Sequence, residues 1–278
     1  MSQPTLVTSP PRCVNFRLTY PAPYVLLVTF EREKAMNSLT FAMHWALAAV
    51  WDWFDSEPDL RVAVVTGQGT KSFCAGQDLM ELRGRGTGDD PKQYIYPKGG
   101  FAGISRRSGK KPIIAAVNGY ALGGGFEMAL NCDMVVASPT ACFGLPEALR
   151  GLYAAAGGLP RLMHIVGPFI ATEVALTGLR LSAQEALVHK LANRVSKTNE
   201  SCVDEAIELA QKCAEVSPDA ALVSRVALRE AWETGSVERG VELVEGRYRK
   251  RLHEGENSRE GLRAFAEKRK PNWVASKL

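Results

Sequence analysis

The chain has no long hydrophobic run. Its most apolar stretch, 112–130, is interrupted by Asn118, several glycines and Glu127, and predicts no membrane span. Cysteine is sparse and unpatterned: positions 13, 74, 132, 142, 202 and 213 form no C-x-x-C pair and have no histidine at metal-ligand spacing. This predicts no metal site, and the thiols read as small buried hydrophobes in a reducing compartment. No GxxxxGK[ST] and no GxSxG occurs, and Gly67-Gln68-Gly69 is not followed by the third glycine of a dinucleotide fingerprint. ATP hydrolysis, serine-hydrolase chemistry and hydride transfer therefore lose their usual sequence support. There is no internal repeat or low-complexity tract, and MSQPTLVTSPPRC lacks the apolar segment of a secretory signal. A net charge of +4 gives no chain-wide footprint for nucleic acid.

What is present suffices for a large core. With 278 residues, 46% of them hydrophobic and 23% charged, the chain fits one large domain, or one with a small appendage. Such a chain buries ~75% of its unfolded surface. The basic excess is local, with nine Lys/Arg against four Glu between Arg247 and Lys270. That balance suits a phosphate-bearing ligand or a solvated helix face. The sequence closes on Ser276-Lys277-Leu278, the peroxisomal address tripeptide, which predicts peroxisomal localisation through the import receptor.

Strands are predicted over 14–18 and 25–30, separated by the Pro-rich turn Tyr20-Pro21-Ala22-Pro23. Ser38 is placed to cap a helix running to about Asp55. Strands follow over 61–66 and 112–117, a helix over 126–131 and a strand over 134–137. This rhythm implies parallel strands with helical crossovers, hence an α/β core. The polar segment 82–100 reads as a mobile loop. From Leu159 onward the pattern is almost wholly helical, with starts at Ser182, Asn199 and Ser217-Pro218. We divide the chain into a core over 1–200 and a helical region over 201–278.

Two carboxylates stand in apolar settings: Glu127 in Gly-Gly-Gly-Phe-Glu-Met-Ala-Leu and Glu147 in Phe-Gly-Leu-Pro-Glu-Ala-Leu. A buried carboxylate pays a desolvation penalty, so each is expected to be paired or useful. Glu127 alone also fits a helix-start carboxylate. Two glycine-bearing turns, Phe73-Cys74-Ala75-Gly76-Gln77-Asp78 and 118–125, leave backbone N–H groups at strand-to-helix junctions. Such groups can hold an oxyanion or a phosphate.

The stretch Ala115-Ala116-Val117-Asn118-Gly119-Tyr120-Ala121-Leu122-Gly123-Gly124-Gly125-Phe126-Glu127 resembles the signature of the crotonase, or enoyl-CoA hydratase/isomerase, superfamily. Segments 73–79, 143–147 and 264–270 resemble its other blocks in the same order, so the resemblance spans about 24–273. It implies a spiral of ββα turns with a helical C-terminal part used in trimerisation, as a homotrimer or a dimer of trimers. It also implies an acyl-CoA substrate and no separate cofactor, coenzyme A entering as part of the thioester. The thioester oxygen would be held by the N–H groups of Gln77 and Gly124, and one water by Glu127 and Glu147. Ala75, Gly76, Gln77, Asp78, Leu79, Gly123, Gly124, Pro146 and Ala155 would bind the substrate, with the Ala155 N–H near the catalytic water. Phe265 and Lys268 match positions that contact CoA from a neighbouring subunit, although Phe265 also reads as a helix-packing aromatic.

The sequence departs from the family at Gln77, where many relatives have a small residue, and at Ala154 and Ala155, where Pro and Gly are usual. His44, His164, His189 and His253 match no family block and read as structural or surface residues. The resemblance favours a fungal peroxisomal type of enoyl-CoA hydratase, or the reverse 3-hydroxyacyl-CoA dehydratase. The alternatives are a Δ3,Δ2-enoyl-CoA isomerase or a thioester hydrolase on the same scaffold, and a non-catalytic CoA- or RNA-binding module.

Overall fold

A computed structural model describes residues 5–84 and 95–278. The core is mixed α/β, built from two sheets. The first combines β1 (Phe16–Ala22), β2 (Val25–Phe30), β3 (Val62–Gly67), β5 (Ile113–Val117), β7 (Met134–Ala137) and β10 (Arg194–Val195) in that order. Only the β1–β2 pair is antiparallel. The second sheet, in order, is β4 (Ser72–Cys74), β6 (Tyr120–Leu122), β8 (Cys142–Gly144) and β9 (Arg180–Ser182), with β9 antiparallel at its edge. Successive strand pairs thus place one strand in each sheet before a helix follows. β4 leads to α2 (Leu79–Arg83) and β6 to α3 (Gly124–Asn131), while β2 is followed by α1 (Phe41–Ser56). This is the expected ββα spiral.

Strand periodicity explains why the first sheet is covered on both faces. Ala63, Val65, Ala115 and Val117 face the main core with Met43, Leu47, Trp51 and Phe54 of α1. Val62, Val64, Ile114 and Ala116 face the other way, against α7 (Cys202–Ala214). That helix presents Cys202, Ala206, Ala210 and Ala214, an i, i+4 stripe of small side chains that permits close approach. Along the chain, α4 (Gly158–Val166), α5 (Pro168–Thr177) and α6 (Ala183–Val188) precede α7. The chain ends in α8 (Pro218–Thr234), α9 (Val237–Arg247), α10 (Arg249–His253) and α11 (Glu256–Ala266). Arg225 of α8 donates to Asp133 (2.8 Å) and to the carbonyls of Ser108 and Gly109. Arg229 donates to the Asn131 carbonyl at the end of α3 (2.6 Å), where the helix dipole favours a cation.

Several boundaries differ from the sequence reading. β1 starts at Phe16 and runs through Pro21 to Ala22. Proline is tolerated there because β1 is an edge strand with a register shift between Thr19 and Ala22. The reversal falls at Pro23-Tyr24, with Tyr24 at φ 64°. Ser38 does not cap α1; its oxygens accept from Arg32, and the first-turn N–H of Phe41 donates to Glu81 Oε2 (3.0 Å). A carboxylate from α2 does the capping, a contact that local sequence cannot reveal. The helix expected at Asn199 begins at Cys202, since Asn199 accepts from Thr140 instead. Ser182 and Ser217 cap their helices as expected. The region after Leu159 also contains β9 and β10. Of the expected mobile loop over 82–100, residues 85–94 lie outside the described residues. Cys74 and Cys202 are buried, but Cys13 is exposed. No described helix is long and apolar enough to cross a membrane.

Candidate active site

The two glycine-bearing turns, distant in sequence, meet because β4 pairs with β6. Gly76 has φ 93°, and a Cβ built on it would lie 3.3 Å from the Gly124 nitrogen and 3.0 Å from the Leu122 carbonyl. No described backbone hydrogen bond takes up the N–H of Gln77 or of Gly124. Groups beside each are engaged, Gly123 N–H donating to the Gly144 carbonyl (2.9 Å). Leu39 N–H donates to the Gly76 carbonyl and Asp78 N–H to the Leu39 carbonyl. Asp78 caps α2 through Met80 N–H (2.9 Å) and pairs with Arg32 (2.7 Å), fixing the turn on its far side. Both free donors therefore stand at junctions held rigid by neighbouring bonds, as an oxyanion hole requires. Ala75 is half-buried in this turn and Leu79 is exposed at the start of α2.

The carboxylates come from opposite sides of the second turn. Glu127 lies in the first turn of α3 and is 3% exposed. Its Oε1 accepts from the N–H groups of Ala156 and Gly158, both at 2.8 Å. Burial raises its pKa, and these two donors oppose the rise. Glu147 sits on the 3₁₀ turn Pro146–Arg150 that follows β8, opened by Pro146. Its Oε2 is buried without a hydrogen-bond partner among the described residues. Desolvation, with a smaller contribution from the Glu127 charge, pushes Glu147 up to about 7 against the opposing effect of its own backbone N–H. Gly123 joins the two: at φ 54°, its Cβ would stand 3.0 Å from Glu147 Oε1. The loop that serves Glu127 uses positive φ only at Gly151 and Gly157, so Ala154 and Ala155 replace Pro and Gly without backbone strain. Ala155 is exposed, and its N–H is not among the donors to Glu127.

Two site neighbours escaped the sequence reading. His44 is neither a surface residue nor a bystander: it is fully buried, and its Nε2 lies 2.8 Å from Gln77 Oε1. Tyr96 reaches the same oxygen at 3.2 Å. The signal for His44 was its place three residues after Phe41 and three before Leu47, on the buried face of α1. Nothing local announces Tyr96.

Phe265 and Lys268 lie apart from the glutamates. Phe265 is 85% exposed, so it does not pack within this chain as a helix aromatic would. Lys268 is exposed at φ 53° just past α11. No group of His, Cys, Asp and Glu suited to a metal occurs among the described residues. A cavity of about 1050 Å³ between the core and α8 includes neither glutamate.

Residues 23–276 match the Enoyl-CoA hydratase/isomerase family. The chain belongs to this family. It is 45% identical over 261 residues to mevalonyl-coenzyme A hydratase of Aspergillus fumigatus, covering 94% of this chain and 95% of that one. It is 40% identical to carnitinyl-CoA dehydratase of Proteus mirabilis over 253 residues, covering 90% and 94%. Among solved structures, enoyl-CoA hydratase of Bacillus anthracis superposes with a TM-score of 0.86 at 32% identity, covering 95% of this chain and all of that one. Family membership makes the chain a lyase-type enzyme of CoA thioesters, with the family's α/β fold and helical C-terminal region.

Proposed function

We propose that this member of the family adds water to a 2-enoyl-CoA, or removes it from the corresponding 3-hydroxyacyl-CoA. The observation that carries the reading is an unequal pair of carboxylates, Glu127 buried and Glu147 half-buried with a buried Oε2, beside two backbone donors that no described backbone bond takes up. The Gln77 and Gly124 N–H groups hold the thioester oxygen as it gains negative charge, each worth about 3 kcal/mol. Glu127, anchored through Oε1, stays ionised and uses Oε2 to take a proton from water. That water attacks carbon 3. Glu147, pushed up to about 7, holds the proton that carbon 2 receives. Removing water runs the same steps backward, with Glu147 as base and Glu127 as acid. Binding through CoA phosphates is assigned to the basic segment around Lys268, with Phe265 offered to CoA of a neighbouring copy in a trimer.

A mevalonyl group is a branched acyl chain bearing hydroxyls, and a relative at 45% identity is named for it. We take a branched, hydroxyl-bearing 2-enoyl-CoA as the favoured substrate. Ser276-Lys277-Leu278 is retained as a peroxisomal address, and deleting Leu278 is expected to move a tagged protein to the cytosol. The test of the reaction is product mass after incubation with crotonyl-CoA and with 5-hydroxy-3-methylpent-2-enoyl-CoA. Gain of one water supports the reading; released CoA-SH or a migrated double bond without added water contradicts it.

A further inference from the structure

Gln77 carries two separate sets of polar atoms. Its backbone N–H is free, whereas its carboxamide is anchored. Ala102 N–H donates to His44 Nδ1 (3.0 Å), so the single proton of the neutral imidazole is on Nε2 and is donated to Gln77 Oε1 (2.8 Å). Burial keeps that imidazole neutral by lowering its pKa to about 4. Tyr96 Oη–H donates to the same Oε1, and Gln77 Nε2 donates to Glu81 Oε2 (2.9 Å). Glu81 in turn accepts from Phe41 N–H. With two donors on one side and a carboxylate on the other, the amide cannot flip.

Among the described residues, two hydrogen-bonding capacities are left over: the second N–H of Gln77 Nε2, and the lone pairs of Tyr96 Oη. Both residues are half-buried and not closed off from solvent. The surroundings of Tyr96 are aromatic, with ring centroids of His44 at 4.9 Å, Phe41 at 5.3 Å and Phe101 at 6.3 Å. Phe101 also closes on the oxyanion turn, since a Cβ on Gly124 would lie 2.5 Å from its ring. The wall and the reaction site are therefore continuous. Burial, and the charges of Glu127 and Glu81, hold the Tyr96 phenol protonated, pushed up to about 12.

We propose that Tyr96 and Gln77 form a recognition pair for a hydroxyl on the acyl chain, an acceptor beside a donor. This rests on the reading of a 2-enoyl-CoA substrate given above. An alcohol supplies one donor and one acceptor and satisfies both leftovers. A methyl terminus or a quaternary ammonium supplies neither, and would leave two desolvated polar groups unpaired. Gln77, where many relatives carry a small residue, is thus a specificity determinant, and His44 is the positioning residue that fixes its amide.

The experiment compares kcat/KM for hydration of 5-hydroxy-3-methylpent-2-enoyl-CoA and of 3-methylpent-2-enoyl-CoA. The wild type is expected to favour the hydroxylated member by about tenfold or more. Tyr96→Phe and Gln77→Met, the latter retaining the backbone N–H, are expected to bring that ratio close to unity. A wild type without preference, or a ratio that survives Tyr96→Phe, overturns the proposal. Calorimetric binding of the saturated 5-hydroxy-3-methylpentanoyl-CoA and 3-methylpentanoyl-CoA reads the pair without turnover. A hydroxyl preference there, lost in Tyr96→Phe, upholds the pair even if no hydration occurs and only the reaction assignment fails. Equal binding of the two saturated thioesters overturns the pair whatever the turnover.

Discussion

Two regions flank the glycine turn at 123–125, and they treat the same side chain differently. On one side, the 154–158 loop delivers two N–H groups to a single oxygen of Glu127. On the other, the turn after β8 leaves Glu147 Oε2 buried with no hydrogen-bond partner among the described residues. Donors stabilise a carboxylate's charge, while burial without donors disfavours it. Burial raises both carboxylates, but only Glu127 has two neighbouring loop N–H groups opposing the rise, and the proposed addition of water uses that difference. The chemistry resides in the difference between the two environments.

The comparison breaks most visibly when either carboxylate is neutralised. Glu127→Gln and Glu147→Gln are each expected to lower kcat for hydration by about 10³-fold, with acyl-CoA affinity nearly unchanged, as steady-state kinetics and calorimetry would report. A loss confined to KM would count against both roles. Next in size is Gly158→Ala, whose Cβ would fall 2.5 Å from Glu127 Cγ and 3.0 Å from its Oε1. Displacing the carboxylate by a fraction of an ångström to an ångström is expected to cost about 10²-fold in kcat. The matching change at Gly235, at the end of α8 with φ 67° and nothing within 4 Å of a Cβ, serves as the strained control outside both glutamate turns.

A pH profile sharpens the same contrast with a smaller effect. Because Glu147 must be protonated to give its proton to carbon 2, hydration is expected to decline as pH rises through about 7. Glu127→Gln removes a neighbouring negative charge, so the residual activity should lose its alkaline limb at lower pH than the wild type. A limb that stays in place would show that Glu127 does not act on Glu147 electrostatically.

The smallest effect concerns stability. His44 titrates near 4 when folded and near its ordinary 6.5 when unfolded. The unfolded chain therefore binds more protons between those values, and stability falls as pH drops from 6.5 toward 4. The loss is about 3 kcal/mol in all. Denaturant midpoints across that range would measure it, and His44→Gln is expected to flatten the dependence.

Much of this was legible in the sequence because it is local. Glycines at 76 and 123–125, a glutamate one turn into α3 and another after a proline are spelled out within a few residues. Alternating Val, Ile and Ala in β3 and β5 foretold a sheet buried on both faces. What could not be read depends on side chains brought together from afar. Glu81 caps α1 from the next helix, His44 meets Gln77 across 33 residues, and Tyr96 arrives from a polar segment without periodicity. Single-sequence reasoning placed Ser38 as the cap because a serine before an apolar stripe has that propensity. The Arg32 contacts outweighed it.

The division of labour between the glutamates is tested most directly by exchange of the carbon 2 protons of butyryl-CoA in heavy water, followed by mass spectrometry. This saturated thioester has no double bond to hydrate, so exchange needs only the oxyanion donors and the group that serves carbon 2. The account predicts that the wild type and Glu127→Gln incorporate deuterium, whereas Glu147→Gln does not. Exchange that survives in Glu147→Gln and vanishes in Glu127→Gln would reverse the roles and contradict it.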